Sequence, residues 1–368
     1  MSVRGRPLMR TSYAQDMALL NTPGKRSGMA ALLVFAFAVP FLITDDLLVV
    51  LATGLAACIG AIGLNLVTGY AGQVSLGHAF FLGIGAYTAA VISGDPQGST
   101  LGYGITLLPV WLLAAGIAAA VVGLIVSPLA VRLRGLYLAV VTIGLVFLGE
   151  HIFKEWDTVT GGPGVGRPSA QPELFGVNFA VDGPMLTREQ KLYLLMLVLV
   201  IMFAVAARNI ARSDIGRAFA AVRDRDIAAA IVGVHLTRQK AVAFTVSSFY
   251  AGCAGALVYT VSGFVEPGSF NLLLSVQYVA MVLIGGVATI SGSIMGALFI
   301  SSLATASREL AANLPFIGAV TGGALNVFQL EGILYGLLII GFLIFEPRGL
   351  YGIWLRARNY WKSWPFSY

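Results

Sequence analysis

The chain has 368 residues, of which 58% are hydrophobic and only 11% are charged, and its mean hydropathy is +0.85. Soluble domains carry about 25% charged residues, so this composition excludes a soluble globular fold and indicates a polytopic membrane protein. The net charge of +6 does not indicate a nucleic-acid partner, because the basic residues are distributed unequally between the two predicted membrane faces. Cys58 and Cys253 both lie in apolar segments and predict neither a disulfide framework nor a metal site.

Residues 1–28 form a basic tail, and the apolar run behind them lacks a small-residue cleavage site, which indicates an uncleaved first span. Apolar runs then alternate with polar connections through residues 29–347. This pattern predicts an all-α polytopic membrane protein with about ten transmembrane helices (about nine to eleven), because several runs are shorter than the ~20 residues of a straight span. The predicted spans are 29–44, 47–68, 76–93, 105–131, 135–152, 192–207, 241–262, 272–290, 292–306 and 330–345.

The second predicted span runs into a stretch in which glycine alternates with polar residues, and we expect it to be a broken helix. Each glycine weakens a helix by about 1 kcal/mol relative to alanine. Unwound backbone beside a cavity offers N–H and C=O groups to a polar solute. Close helix packing is the alternative explanation. The residues predicted to line a substrate pathway are Asn65, Gly69, Tyr70, Gln73, Ser75 and Gly77.

The longest connection on the face opposite the basic residues is residues 154–191, which we treat as an external loop. It contains four glycines and a proline within residues 161–166, so it is expected to be rich in turns and to have no core of its own. Two roles stay open for it, contact with an external partner and simple covering of the outer face.

A polar island at residues 208–240 interrupts the apolar sequence and carries seven of the 23 basic residues. Such a cluster cannot lie in hydrocarbon, so it must be a loop at one membrane face. Ser213 or Asp214 is expected to cap a first short helix, Gly233 to end a second one, and Thr237 to cap the next span. The apolar faces predicted for the two short helices are Ile215, Phe219 and Val222, and then Ile227, Ala230, Ile231 and Val234. These faces favour docking of a partner over a merely solvated loop.

A second glycine-rich interruption follows at residues 285–292, and the two interruptions together suggest an internal repeat. Gly292 and Gly296 have the spacing that packs membrane helices closely, as do Gly332 and Gly336. For these four glycines we expect a packing role.

Residues 348–368 form a basic and aromatic tail. Trp354, Tyr360, Trp361 and Trp364 alternate with Arg356, Arg358 and Lys362, a mixture typical of an interfacial segment that lies against the inner leaflet of membrane lipid. Anchoring alone accounts for this pattern.

The distribution of basic residues fixes the expected orientation. If the N-terminus is inside and the spans alternate, eighteen Lys and Arg residues fall inside and five fall outside. The positive-inside rule therefore predicts that both termini are cytoplasmic.

The predicted spans contain almost no ionisable residues, which argues against an ion-coupled transporter, because such residues are kept in the membrane only for function. The sequence also lacks a nucleotide-binding loop and any catalytic constellation in its loops, so it is not expected to be an enzyme or to bind a cofactor. Energy would then enter through a partner that holds the 208–240 loop. A stand-alone channel or facilitator is the second hypothesis.

Several blocks resemble the permease subunits of branched-chain amino-acid ABC importers of the LivM type. They cover roughly residues 45 to 352 in the family's order. The blocks are GLNLVTGYAGQVSLGHAFFLGIGAYTAA (63–90), RLRGLYLAVVTIG (132–144), VTGGPGVG (159–166), AAVRDRDIAAAIVGV (220–234), LIGGVATISGSIMGA (283–297) and LYGLLIIGFLIFEPRGLYG (334–352).

The resemblance implies a permease of a bacterial inner membrane that pairs with a homologous second permease. Two cytoplasmic ATPases would bind ATP and Mg²⁺, and an external solute-binding protein would deliver the amino acid. It also implies a coupling helix in the 208–240 loop, although the acidic position of the family's pattern is Ile227 here, with Asp226 just before it. The same superfamily includes urea and short-chain amide permeases. The residues predicted for ATPase coupling are Arg217, Arg223, Asp224, Asp226, Ala228, Ala229 and Gly233.

Overall fold

The computed structural model of the chain describes residues 23–133, 135–174, 176–183, 185–313 and 327–363. Helices dominate these residues. The first seven are α1 (Pro23–Ala38), α2 (Asp45–Asn65), α3 (His78–Ser93), α4 (Leu108–Arg132), α5 (Leu136–Glu155), α6 (Asp157–Thr160) and α7 (Arg188–Arg212). The next seven are α8 (Asp214–Asp224), α9 (Asp226–Ile231), α10 (Leu236–Ser262), α11 (Leu272–Gly285), α12 (Ile290–Asn313), α13 (Val327–Phe345) and α14 (Gly349–Ser363). A π-helical turn, Leu66–Tyr70, continues α2, and short 3-10 turns lie at Val39–Phe41 and Pro267–Ser269.

Four two-residue strands accompany the helices: β1 (Arg167–Pro168), β2 (Glu173–Leu174), β3 (Val177–Asn178) and β4 (Phe264–Val265). β2 and β3 form an antiparallel hairpin within the predicted external loop. β1 pairs antiparallel with β4, which follows α10, so this loop is tied to the end of another helix. Its glycines at 161, 162, 164 and 166 all have positive φ, as expected of a segment built from turns.

In the described part of the chain, six helices are long and apolar enough to cross a membrane: the α2–π-turn run Asp45–Tyr70, α4, α5, α7, α10 and the Ile290–Ser307 part of α12. A seventh candidate is the pair α13–α14, which is bent by 42°. Three shorter apolar helices accompany them, at Arg26–Phe41, His78–Ser93 and Leu272–Gly285. The chain is therefore an all-α, multi-pass membrane protein, while a total of about ten spans and the cytoplasmic termini remain predictions.

The core of the bundle is built around α2, which packs against α7, α10, α11 and α12. From Ala52 onward nearly every residue of α2 is buried, whereas α4, α5 and α7 bury only about one side each. Small residues bring the helices close together. A Cβ added to Gly60 would lie 2.5 Å from the ring of Tyr278, and one added to Gly252 would lie 2.5 Å from the carbonyl oxygen of Ala115. In a bilayer the hydrophobic effect does not drive helices together, so apolar helices associate through close van der Waals packing of this kind.

The glycine pairs expected to pack helices behave differently from each other. Gly292 and Gly296 of α12 press against Gly285 and Met281 of α11, which confirms the expectation for this pair. Around Gly332 and Gly336 of α13, a Cβ would meet no described heavy atom within 4 Å. Among the described residues this pair therefore makes no close helix contact, and its packing role stays a prediction.

The helix bounds differ from the predicted spans because apolar runs do not mark helix ends. Helix α7, which corresponds to the sixth predicted span 192–207, starts four residues before that apolar run, at a capping box in which Thr187 and Gln190 bond reciprocally. It extends five residues beyond the run, to Arg212. Residues 1–22 of the predicted N-terminal tail 1–28 lie outside the described residues, as do residues 364–368 of the predicted C-terminal tail 348–368. Helix α14 accounts for most of the C-terminal tail.

Candidate functional site

The first glycine-rich stretch is a break in the helical run, as the sequence predicts. α2 passes at Asn65 into the π-helical turn, residues 71–77 are not helical, and α3 begins at His78. Ala71 N–H still reaches Leu66 C=O at 3.1 Å, but Gln73 N–H reaches back to Val67 C=O at 3.0 Å. Gly72 turns the chain with φ of +69°, a conformation that glycine adopts without strain.

Asn65 joins this break to the second one. Its side-chain nitrogen donates to Thr289 C=O at 2.9 Å and to Ser293 Oγ at 2.7 Å, and its side-chain oxygen accepts from Ala288 N–H at 2.8 Å. Ala288 is the one non-glycine residue with positive φ in the described part of the chain, at 58°. The two interruptions therefore lie against each other, and the Asn65 amide connects them.

The unwound segment is also held from α5, and the first turn of α3 that follows it is held from α11. The Leu76 N–H donates to Thr142 Oγ1 at 3.0 Å, and the Ala79 N–H donates to Ser275 Oγ at 2.9 Å. Gly77 lies so close to α5 that a Cβ would be 2.9 Å from the Thr142 carbonyl oxygen. These side-chain hydroxyls replace the helical bonds that the broken segment has lost.

Buried polar atoms without a partner concentrate in this stretch. Eight such side-chain atoms occur among the described residues, and four of them belong to Thr68, Gln73 and His78. Gln73 is 5% exposed, and neither its amide oxygen nor its amide nitrogen has a partner. Buried polar groups are normally hydrogen-bonded, so each exception needs an explanation such as water or a ligand.

The remaining predicted pathway residues lie in the same segment. Gly69, Ser75 and Gly77 are buried, Tyr70 is half-buried, and the ring of His78 packs 4.9 Å from that of Tyr278. The structure thus brings all six predicted pathway residues together. Their amides differ, because that of Asn65 bonds to other parts of the chain and that of Gln73 has no partner among the described residues.

The predicted coupling loop folds as two short helices, α8 and α9, joined at Arg225. Ser213 is the N-cap residue of α8, but its hydroxyl donates backward to Ile210 C=O instead of capping the helix. The residue that precedes α10 is His235, so the expected cap at Thr237 is wrong. Gly233 ends the second helix with φ of +89°, as predicted.

The apolar faces of the two helices differ in what they contact. Phe219 and Val222 of α8 are buried, since this helix packs against α7, α10 and the π-helical turn. On α9 and just beyond it, Ile227, Ile231 and Val232 are 70%, 83% and 81% exposed. The expectation that both faces would be available to a partner is therefore wrong for Phe219 and Val222, although Ile215 of the same predicted face is 41% exposed.

Among the charged residues of the loop, Arg217 and Arg223 form local ion pairs, and Arg223 also makes a long-range contact. Arg217 pairs with Asp214, and the Arg223 guanidinium lies 3.0 Å from the Asp224 carboxylate. Arg223 Nη1 also donates to Gly69 C=O at 3.1 Å. Asp226 begins α9, Ala228 is exposed, and Ala229 is 2% exposed. The predicted coupling loop is thus in direct contact with the first helix break.

Sequence reasoning missed Arg167, which it counted only as an external charge. Its side chain is 2% exposed and donates to Val159 C=O at 2.7 Å, Ala90 C=O at 2.8 Å and Leu101 C=O at 2.9 Å. Burial lowers the pKa of this guanidinium, and the neighbouring Tyr87 acts in the opposite direction. Arg167 ties the external loop to the end of α3. The one signal in the sequence was that Arg167 is a basic residue in the predicted external loop, on the membrane face that carries few basic residues.

Other kinds of site are not evident among the described residues. No group of three or more His, Cys, Asp or Glu side chains there could hold a metal ion. An apolar groove of about 460 Å³ lies between α13 and α14, and none of its lining residues belongs to either glycine-rich stretch.

Comparison with known proteins places the chain in a family. The profile described as "Branched-chain amino acid transport system / permease component" matches residues 47–343. The chain belongs to this family. It is 32% identical to the high-affinity branched-chain amino acid transport system permease protein LivM of Escherichia coli (strain K12), over 90% of this chain and 76% of that protein.

Two further permeases are similar to this chain. The high-affinity branched-chain amino acid permease protein BraD of Pseudomonas aeruginosa is 25% identical over 79% of this chain and 90% of its own. The Autoinducer 2 import system permease protein LsrC of an Enterobacter species is 30% identical over 54% of this chain and 55% of its own. No solved structure gives a significant match.

Proposed function

We propose that this chain is the transmembrane permease subunit of an ATP-driven ABC importer of branched-chain amino acids, resident in a bacterial inner membrane. The observation that carries the proposal is the match to LivM along 90% of the chain. The family is one of transporters and not of enzymes. The chain itself binds no cofactor under this proposal, since ATP and Mg²⁺ are held by separate ATPase subunits.

The exposed face of α9 is the docking surface for an ATPase subunit. Ile227, Ile231 and Val232 form a compact apolar surface on a loop that otherwise carries Arg and Asp side chains. Apolar residues of a short helix that enter a groove of a partner are a common mode of recognition. The other partners are a homologous second permease, a second ATPase, an external solute-binding protein and membrane lipid.

The solute passes along the first helix break, at residues 68–78. The unpartnered polar atoms of Thr68, Gln73 and His78 supply the hydrogen-bonding groups. A branched-chain amino acid is a zwitterion with an apolar side chain. An amide can donate to its carboxylate through N–H and accept from its ammonium group through C=O, so Gln73 serves both ends without a charge in the membrane.

A different solute is the principal alternative, and the likeness to LsrC favours it because that permease is named for a solute that is not an amino acid. The test is uptake of radiolabelled leucine by the complete importer in proteoliposomes, with isoleucine, valine, urea and acetamide as competitors. We expect unlabelled isoleucine and valine to suppress leucine uptake and the two amides to have no effect. Suppression by urea or acetamide alone would refute the assignment of substrate.

Purification of the chain together with its ATPases tests the docking arrangement. Both ATPase subunits should remain bound through affinity purification and size exclusion. Passive leucine flux through the chain alone would instead support a channel or facilitator.

A further inference from the structure

We infer that Arg223 is a positioning residue that transmits movement of the ATPase-docking loop to the solute pathway, and that it does not itself contact the ATPase. The inference rests on the proposed function and deepens it. Its basis is the hydrogen bond of 3.1 Å from Arg223 Nη1 to the carbonyl oxygen of Gly69, which joins residues 154 positions apart.

The acceptor is a carbonyl at the end of a helical run. Gly69 lies in the last turn before the chain leaves the helix at residue 71, where carbonyl oxygens no longer meet the N–H groups of a following turn. A cation at this end of a helix is favoured by the helix dipole as well as by the hydrogen bond. Arg223 therefore caps the helix that leads into the pathway.

Gly72 adds a steric contact to this polar one. A Cβ at this position would lie 2.7 Å from Arg223 Cγ and 3.1 Å from Arg223 Cα. The backbone of the broken segment and the end of α8 thus touch directly, and only a glycine allows this approach at φ of +69°. A displacement of α8 must move Gly69 and Gly72 or break both contacts.

The π-helical turn is also held on the side opposite Arg223. Gly69 lies against Asn65 and Ala288, and a Cβ on it would be 2.5 Å from Ala288 N. The π-helical turn is held between the second helix break and Arg223. Because the unpartnered atoms of Thr68 and Gln73 flank Gly69 in sequence, a shift of the turn changes the groups that the solute meets.

The remaining contacts of Arg223 agree with a role in transmission. Its guanidinium is held by Asp224 at 3.0 Å, which restricts its orientation. Arg223 lies in the last turn of α8, the helix whose Phe219 and Val222 are buried, whereas the exposed Ile227 and Ile231 belong to α9. Docking on α9 therefore reaches the pathway through α8 and its last arginine.

The test uses the complete importer in proteoliposomes and compares Arg223→Gln with Arg132→Gln. Arg132 is an exposed arginine that ends α4, so it is a matched control for loss of one charge at a helix end. Three quantities are measured for each variant: ATPase subunits bound per permease, ATP hydrolysed, and leucine taken up per ATP.

For Arg223→Gln we expect normal ATPase binding, hydrolysis within about twofold of wild type, and leucine uptake per ATP lower by about tenfold. Arg132→Gln should match wild type in all three. Gly72→Ala should reproduce the lowered uptake per ATP, because it separates the same two segments. Arg223→Lys retains the charge but loses the planar donor group, so its uptake should be intermediate.

Wild-type uptake per ATP in Arg223→Gln would overturn the inference. Loss of the ATPase subunits from this variant would also overturn it, since Arg223 would then be a docking contact. Failure of the proposed function is separately recognisable, because a wild-type chain would then hold no ATPase before any variant is compared.

Discussion

The side-chain oxygen of Asn65 accepts a hydrogen bond from the backbone N–H of Ala288, 2.8 Å away and 223 residues later in the chain. This bond, with those to Thr289 and Ser293, fixes the two interruptions of the bundle against each other. A buried carboxamide that supplies two donors and one acceptor to backbone and hydroxyl groups stabilises the fold at the place where regular helix is missing.

Asn65→Ala should therefore lower the stability of the purified chain. The partly buried N–H of Ala288 loses its acceptor, and leaving a buried group unsatisfied costs up to about 1–3 kcal/mol. Thermal unfolding in detergent is the measurement. Thr53→Ala is the control, because Thr53 is on the same helix and its hydroxyl bonds only to Val49 C=O one turn earlier. Equal melting temperatures for the two variants would contradict the role given to Asn65.

Gln73→Leu is expected to weaken leucine transport without lowering the stability of the chain. The amide of Gln73 has no partner in the described part of the chain, so its removal costs no protein hydrogen bond, and the melting temperature should stay constant or rise. The KM for leucine uptake should increase by about tenfold if the solute loses one hydrogen bond.

Gln190→Leu should give the opposite result in the same assays. Gln190 completes the capping box of α7 and donates to Pro40 C=O at 3.0 Å, so its loss should lower the melting temperature and leave KM unchanged. A variant at Gln73 that melts early with normal KM would show that this amide is structural.

Ile227→Asp and Ile231→Asp should weaken ATPase binding without unfolding the permease. Both side chains are at least 70% exposed, so the substitutions cost little in the isolated chain, while a charge placed in an apolar contact opposes association. Val165→Asp is the control, because Val165 is also 70% exposed but lies in the predicted external loop. Normal ATPase recovery with both α9 variants would place the docking surface elsewhere.

Arg167→Met should loosen the external loop. Three backbone carbonyls lose a charge-assisted hydrogen bond, each worth about 1.5–3 kcal/mol. We expect faster cleavage within residues 156–187 in limited proteolysis from the external side. Lys154→Met removes a partly exposed pair with Glu150 and should change the cleavage rate little. Equal rates for the two variants would contradict the bracing role of Arg167.

The sequence was sufficient for the features that depend on local chemistry. Apolar runs predict the helices, the density of glycine and polar residues predicts the break after Asn65, and Gly233 predicts the end of α9. Contacts between residues that are far apart in the chain cannot be recognised from local sequence patterns. Nothing local to Asn65 indicates that its amide bonds to residues 288–293, and nothing local to Arg223 indicates a bond to Gly69.

The apolar faces of α8 and α9 in the predicted coupling loop show a second feature that the sequence could not predict. Phe219 on α8 and Ile227 on α9 have equivalent amphipathic patterns, yet one is buried and the other is 70% exposed. Periodicity identifies an apolar face but not what covers it. That distinction depends on how α8 lies against α7, α10 and the π-helical turn.

Leucine accumulation in proteoliposomes that contain the complete importer, measured with and without ATP while ionophores abolish all ion gradients, tests the central claim most directly. The account predicts uphill accumulation that requires ATP and is unaffected by the ionophores. Accumulation by the purified chain alone, driven by a proton or sodium gradient without ATPase subunits, would contradict it.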